Sequence, residues 1–399
     1  MDEPVGTRRA RWTGPLLTAL IFLVALNLRP AITSVGPLLP GIAADEGLSE
    51  ARQGLLGALP LIAFGLASPF AHRISTRIGA ERTVLAALLV LAAGLLTRSF
   101  TGHAGLWAGT ALLGAAIGVG NVLAPSVVKR DYSGNVSRAT GVYSAFMTTA
   151  AATASAVAVP LAAPLGWRGS LAVWAVPALL IALLWLPRAL PAPAEADPLP
   201  AGGPVPTSVW RQPTAWVLTA FMGLQSTTFY VMVTWLPTIE AAEGVSAEQA
   251  GLHLFAYQVT GIVAGLAIPR LMRDPGTQVA AAVTASTPML LGVLGLLAAP
   301  GLSALWTIVI GLGTGSSLVV ALSLIGLRGR THAETTALSG MAQSLGYLLA
   351  AAGPVVAGHL AERTGSWRAS LWLVAVLAVA QLAVAFRAGR VPGHRTSSS

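Results

Sequence analysis

Arg29 is a basic residue well inside an apolar run, with Ala25, Leu26 and Leu28 before it and Ala31 and Ile32 after it. A cation buried in a bilayer is costly unless paired, and such residues face the interior of a helix bundle. The guanidinium is planar and grips two acceptor atoms at once. The chemistry on offer is recognition of a small anion or of a strongly polar solute. Two other readings stay open: a structural tie to helix carbonyls and hydroxyls, and an outward snorkel from a helix edge. Asn27 stands two residues before Arg29, and Pro30 and Pro37 bracket Thr33, Ser34 and Gly36. Prolines free carbonyls and permit bending, which suits a moving helix beside a binding residue. Ordinary kinking is the plainer alternative.

Neutral polar side chains recur in other apolar runs. Asn121 follows a row of glycines, Gln225 and Tyr230 share one run, and Gln343 and Tyr347 stand four apart, on one helical face. With Asn27 they form a candidate polar cage around a solute held by Arg29. Tyr257, Gln258, Ser316 and Ser317 belong to the same class. All of these types also join helices to one another. Tyr143 and Phe229 are candidate aromatic gates or ordinary packing. The 15 carboxylates fall in loops, termini or helix ends. A proton relay would therefore use His253, the solute itself, or an end carboxylate such as Glu240. His253 as a merely polar residue at a helix end is the competing reading.

Several chemistries are excluded. The chain has no Cys, so thiolate catalysis and Cys-based metal sites are absent, and its six His are scattered. Gly114-x-x-x-Gly118 and Gly311-x-x-x-Gly315 follow no strand, so they read as close helix packing rather than phosphate-binding loops. The expectation is a chain that is not an enzyme, with no cofactor, metal ion or nucleotide.

The elements that must position these residues follow from composition. Of 399 residues, 54% are hydrophobic and 10% charged, against about 25% charged in soluble domains. That excludes a soluble enzyme, a disordered chain and a nucleic-acid binder. Twelve apolar runs can be marked, from Leu16–Leu38 to Leu371–Phe386, close to the roughly 20 residues that cross a bilayer as helix. The class is an all-α polytopic membrane protein with twelve transmembrane helices. The first run, preceded by Arg8, Arg9 and Arg11, is too long for a signal peptide and reads as a retained helix.

Of the 24 Lys and Arg residues, 18 fall in the termini and every second loop, whereas the alternate loops hold only Arg98, Arg168, Arg363 and Arg368. The positive-inside rule places both termini in the cytoplasm. The net charge of +9 is thus a topology signal.

The chain is internally duplicated. Leu39-Pro40-x-Ile42-x-Ala44-x-Glu46-Gly47-x-Ser49 recurs 197 residues later from Leu236 to Ser246, and Trp167-Arg168-x-Ser170-Leu171 recurs 200 residues later from Trp367 to Leu371. Trp167 and Trp367 read as interface anchors and packing residues. A Pro- and Gly-rich segment, 191–208, has linker composition. The expected domains are a six-helix bundle over 1–190, a cytoplasmic linker over 191–208 and a second bundle over 209–399. Two parallel repeats form the plan in which bundles rock about a midplane site.

Six plus six helices with such a linker resemble the major facilitator superfamily over essentially the whole chain. The stretch from Asn27-Leu28-Arg29-Pro30-Ala31 through Thr33-Ser34-Val35-Gly36-Pro37 to Pro40 resembles the signature of the cyanate/2-nitroimidazole transporter (CynX/NimT-like) family. Gly120-Asn121-Val122-Leu123 and Gly340-Met341-Ala342-Gln343-Ser344-Leu345-Gly346-Tyr347 support it. The resemblance implies a monomeric inner-membrane carrier of a small polar or anionic solute, cyanate-like, working by alternating access. An exporter of nitroaromatic compounds such as 2-nitroimidazole is the alternative, since a nitro group also offers two oxygens to Arg29. The chain departs from the wider superfamily in the loop after the second run. There Thr76 stands where an Asp usually begins the motif Thr76-Arg77-Ile78-Gly79-Ala80-Glu81-Arg82. Arg73, Arg77 and Arg82 either pair with carboxylates such as Asp131 or serve only topology.

Overall fold

The computed structural model describes residues 15–132, 136–190, 207–272, 277–329 and 332–390. Linker residues 191–206 lie outside them, as do Arg8, Arg9, Arg11, Arg273, Arg330 and Arg395. Helices follow one another as α1 (Pro15–Ala25), α2 (Pro30–Thr33), α3 (Val35–Glu46), α4 (Glu50–Ile78), α5 (Ala80–Phe100), α6 (Gly102–Asp131), α7 (Val136–Ala172) and α8 (Ala175–Ala189). After the linker come α9 (Thr207–Trp210), α10 (Pro213–Ala242), α11 (Ala247–Ala267), α12 (Val279–Ala298), α13 (Ser303–Arg328), α14 (His332–Thr364) and α15 (Trp367–Gly389). The one β contact among the described residues is an isolated bridge between Thr277 and Arg390.

The twelve apolar runs of the sequence fall on helical segments, the first interrupted over 26–29 and at Ser34 and the sixth at 173–174. By length and composition, ten helices among the described residues can cross a membrane. The pair Leu17–Thr33 and Val35–Glu46, bent by 42°, makes an eleventh crossing if it is one span. The sixth run is shorter: α8 has 15 residues. It is extended toward its N-terminus by Trp167–Ala172, on the far side of a kink where Gly166 adopts φ 66° and ψ 170°.

The duplication is visible in the backbone. Gly47 and Gly244, equivalent in the first repeat, end their helices at φ 63° and 86°. The second repeat is entered through Gly166 at φ 66° and Gly365 at φ 63°. Left-handed φ is accessible to glycine without the Cβ penalty, so both copies turn at these places for the same reason.

Packing gathers the chain into two compact units. One contains residues 15–31, 63–151 and 168–190; the other contains 32–62, 152–167 and the described residues from 207 onward. In the first unit, α5 and α6 meet at glycines. A Cβ on Gly94 would lie 2.8 Å from the Leu113 backbone N, and one on Gly109 only 2.3 Å from the Arg98 backbone N. Gly118 is pressed on the Phe64 backbone, where a Cβ would stand at 2.9 Å. In the second unit, α11 and α13 touch backbone to backbone at Gly261 and Gly315, and Gly311 lies on the Tyr257 carbonyl. Stretches 32–62 and 152–167 pack there against α10, α11 and α14 in the same way. A Cβ on Gly36 would meet the Val233 carbonyl at 2.3 Å, and one on Gly54 the Pro354 carbonyl at 2.3 Å. Trp367 lies against Trp235, ring centroids 4.6 Å apart, and Trp167 donates to the Asp45 carboxylate at 3.0 Å.

At the basic end of the first unit, Arg188 pairs with Asp131 at 2.6 Å and Arg130 with Glu81 at 2.6 Å. Both members of the Arg188–Asp131 pair are buried, with side chains 6% and 4% exposed. Asp131 is thus held by Arg188 and Arg130, not by the loop arginines proposed for it, and Thr76 bonds its own turn at the Arg73 carbonyl. Arg73 and Arg77 are exposed.

Gly315→Val is expected to lower the thermal midpoint of the purified protein, because overpacking costs about 1–3 kcal/mol. Gly326→Val, on the same helix with open space around it, is expected to leave it nearly unchanged. A detergent melting curve for each variant checks this.

Candidate substrate site

Pro30 cannot donate a backbone hydrogen bond and disfavours helical backbone in the residue before it. The chain accordingly leaves the α-helix over 26–29. Leu26, Asn27 and Leu28 bond three residues back, to Leu23, Val24 and Ala25, in a tightened turn. Arg29 is the last residue of this interruption and is half-buried. Asn27 is buried, and its amide nitrogen donates to the Leu23 carbonyl at 3.2 Å.

Three elements of the first unit converge here. Leu28 fills the space above Gly120 of α6, where a Cβ would come within 2.8 Å of it. Asn121, the next residue, donates back to Ile117 at 3.0 Å and is half-buried. From α7, Tyr143 shares the apolar cluster of Leu28, Leu123 and Ala124. Its hydroxyl is buried without a hydrogen-bond partner, and the Arg29 charge acts on it. The Arg29 guanidinium and the Tyr143 phenol thus act on one another, with Asn27 two residues before Arg29 and Asn121 beside Gly120.

The second unit supplies its own set. Gln225 and Tyr230 of α10 are buried. The Gln225 amide nitrogen is engaged locally, at 2.6 Å from Ser226 Oγ and 3.4 Å from Met222 Sδ. Gln343 of α14 likewise donates to Ser339 Oγ at 2.7 Å. The rings gather more closely. Tyr230 meets Phe229 at 5.1 Å and Tyr347 at 6.4 Å, both edge to face, and Phe229 meets Tyr257 at 6.0 Å. Edge-to-face pairs favour such centroid separations. This aromatic wall draws on α10, α11 and α14. Gln258 and Ser317 resolve as helix joints, Gln258 donating to Ser155 Oγ at 2.8 Å and Ser317 to the Ala285 carbonyl at 3.1 Å, whereas Ser316 bonds within its own helix, to the Leu312 carbonyl at 2.5 Å.

His253 is not a lone polar residue at a helix end. Its Nδ1 lies 2.8 Å from the Glu240 carboxylate, which is 1% exposed and also receives the Thr307 hydroxyl at 3.5 Å. The second Glu240 oxygen is buried without a partner. A buried carboxylate against an imidazole can hold and exchange a proton.

One cation lies deeper than its place at the end of an apolar run indicates. Arg98, counted among loop residues, is inside α5 and 2% exposed, and donates to the Ala31 carbonyl at 2.7 Å. Its signal was the shortness of the third run, which ends at Thr97 although α5 continues to Phe100. Among the described residues no group of three or more His, Cys, Asp or Glu is placed to hold a metal ion.

Residues 17–351 match the family model of the Major Facilitator Superfamily. The chain is 39% identical to the 2-nitroimidazole transporter of Escherichia coli over 94% of its own length and 95% of the relative's. It is 30% identical to the cyanate transport protein CynX of Escherichia coli, over 87% and 90%. Among solved structures, the D-xylose-proton symporter shares the fold with a TM-score of 0.74 at 15% identity, over 94% of this chain and 97% of that one.

His253→Ala strips the buried Glu240 carboxylate of its nearest partner. The expected loss is about 1–3 kcal/mol of stability, seen as a lower melting temperature in detergent, with Glu240→Gln/His253→Ala recovering part of it.

Proposed function

The chain belongs to the Major Facilitator Superfamily, among the 2-nitroimidazole and cyanate transporters, and from that premise we propose that it carries a small polar or anionic solute across the inner (plasma) membrane. The observation that carries this reading is Arg29, held in an interrupted turn of an apolar span beside Asn27 and Tyr143. The solute's acceptor atoms meet the guanidinium in a low-dielectric setting, where a charge-assisted pair is strong. Asn27 and Asn121 complete the polar contacts of the N-terminal half. Gln225, Tyr230, Gln343 and Tyr347 face the solute from the C-terminal half. No bond is made or broken, so the chain is a carrier and not an enzyme, secondary active or facilitative.

Transport follows a rocker-switch, in which bundles 1–190 and 209–399 tilt about this site. The packing of 32–62 and 152–167 against α10, α11 and α14 supports a gate closed at the end of the spans carrying the Glu46 and Glu243 loops. By the distribution of Lys and Arg that end is external and both termini are cytoplasmic. The carrier works as a monomer. His253 with Glu240 is its proton site, and Tyr143 its gate beside Arg29.

A second reading is export of nitroaromatic compounds. The wall of Phe229, Tyr230, Tyr257 and Tyr347 favours it, because a planar ring can stack there while its nitro oxygens reach a guanidinium.

Proteoliposome flux of cyanate and of 2-nitroimidazole separates the two. Arg29→Ala is expected to raise KM roughly 30-fold for the true solute, the equivalent of about 2 kcal/mol for a hydrogen bond to a charged group. Flux of both solutes unaltered by Arg29→Ala would remove Arg29 from the site. Glu240→Gln is expected to abolish uptake driven by a pH gradient while sparing exchange of solute for solute.

A further inference from the structure

The break in the first span leaves a specific backbone group to be satisfied. In a continuous helix the Ala31 carbonyl would accept from Val35 N–H, four residues on. Here the helix is interrupted at Ser34, and α3 begins anew at Val35. Arg98 Nη1 takes the Ala31 carbonyl at 2.7 Å. A carbonyl without a partner in an apolar interior is costly, so without Arg98 the local geometry at Ser34 loses the donor that satisfies it and is free to shift toward a Val35 N–H bond, within the limit that Pro37 sets.

Several features make this bond more than incidental. Arg98 is 2% exposed, and its Nε and Nη2 are buried with no hydrogen-bond partner. A buried cation with a single neutral acceptor is an expensive way to satisfy one carbonyl. A hydroxyl does the comparable task nearby, where Ser155 Oγ donates to the Thr33 carbonyl at 3.3 Å, the carbonyl that Pro37 cannot serve. The starting point of the guanidinium is fixed, because α6 lies at Gly109 directly on the Arg98 backbone. Ala31 is two residues from Arg29. Whatever sets the path of the chain at Ala31 sets how Arg29 and Asn27 are presented.

We propose that Arg98 is a positioning residue: by capping the Ala31 carbonyl it holds the first span broken and so aims Asn27 and Arg29. The role in aiming rests on the reading of Arg29 as the solute anchor; the role in holding the break does not.

The chain has no Cys, so spin labels attach only where a Cys is introduced. Labels at Leu20→Cys and Gly41→Cys flank the break, and a side chain at Gly41 has open space. Pulsed-EPR distances are measured on the full chain in lipid nanodiscs, and flux of cyanate and 2-nitroimidazole in proteoliposomes, for native, Arg98→Met, Arg98→Lys and Arg29→Ala proteins. The expected result is a longer or broadened label distance in Arg98→Met, a KM raised ~10-fold or more by misplacement of the anchor, and recovery of both by Arg98→Lys, which keeps a donor. An unchanged distance in Arg98→Met overturns the proposal, and a changed distance with KM unaltered, where Arg29→Ala does raise KM, overturns the role in aiming. If Arg29→Ala leaves KM unaltered, the anchor reading fails, while a distance change in Arg98→Met still upholds Arg98 as the holder of the break. Should Arg98→Met not fold, Arg98→Gln is read by the same two measurements.

Discussion

A helix crossing hydrocarbon has no water to satisfy its backbone, so every interrupted hydrogen bond must be closed by another part of the protein. The first span breaks this ladder twice, at Pro30 and at Pro37, within the stretch that carries Asn27, Arg29, Thr33 and Ser34. The structure meets the demand with side chains from other helices. Arg98 of α5 takes the Ala31 carbonyl, and Ser155 of α7, itself held by Gln258 of α11, takes that of Thr33. These bonds satisfy carbonyls at the second break, beside Ser34 and Pro37, and tie it to helices remote in sequence. A broken span inside a bilayer thus depends on polar side chains drawn from other helices.

The internal duplication supplies the scaffold but not the chemistry. Both copies keep the left-handed glycines that end and re-enter helices, because the same sharp turn is needed twice. The position equivalent to Arg29 in the second copy is Ser226, which receives the Gln225 amide at 2.6 Å. The first copy carries the buried-span cation, and the second carries four clustered aromatic rings.

Ionised groups are managed differently at the two ends of the spans. Asp131, Glu81, Arg130 and Arg188 form opposed pairs at the basic end, where removing one partner would strand a buried charge. At the other end Glu240 leans on His253, whose charge depends on its protonation. The first arrangement suits a fixed joint and the second a group that changes state.

Much of this was legible in the residues alone. Run lengths and composition determine the all-α membrane fold and where the helices lie, because the bilayer sets span length and the backbone must be satisfied within it. Pro30 and Pro37 announce the bend, and Arg29 announces itself as a cation where few are tolerated. Glycine spacing signals close helix contacts, as at Gly118, Gly311 and Gly315. Other features were decided only in three dimensions. Arg98 reads as a loop residue until α5 is seen to run three residues past the apolar run and to send its side chain into the first span. Glu240 reads as a helix-end carboxylate until α11 and α13 cover it. Gln258 and Ser317 are the same residue types as a solute cage, and only their bonds to other helices identify them as joints. The reason is physical: periodicity and composition encode which side chains avoid water, whereas the partner of a buried polar group is chosen by distance across helices far apart in the chain.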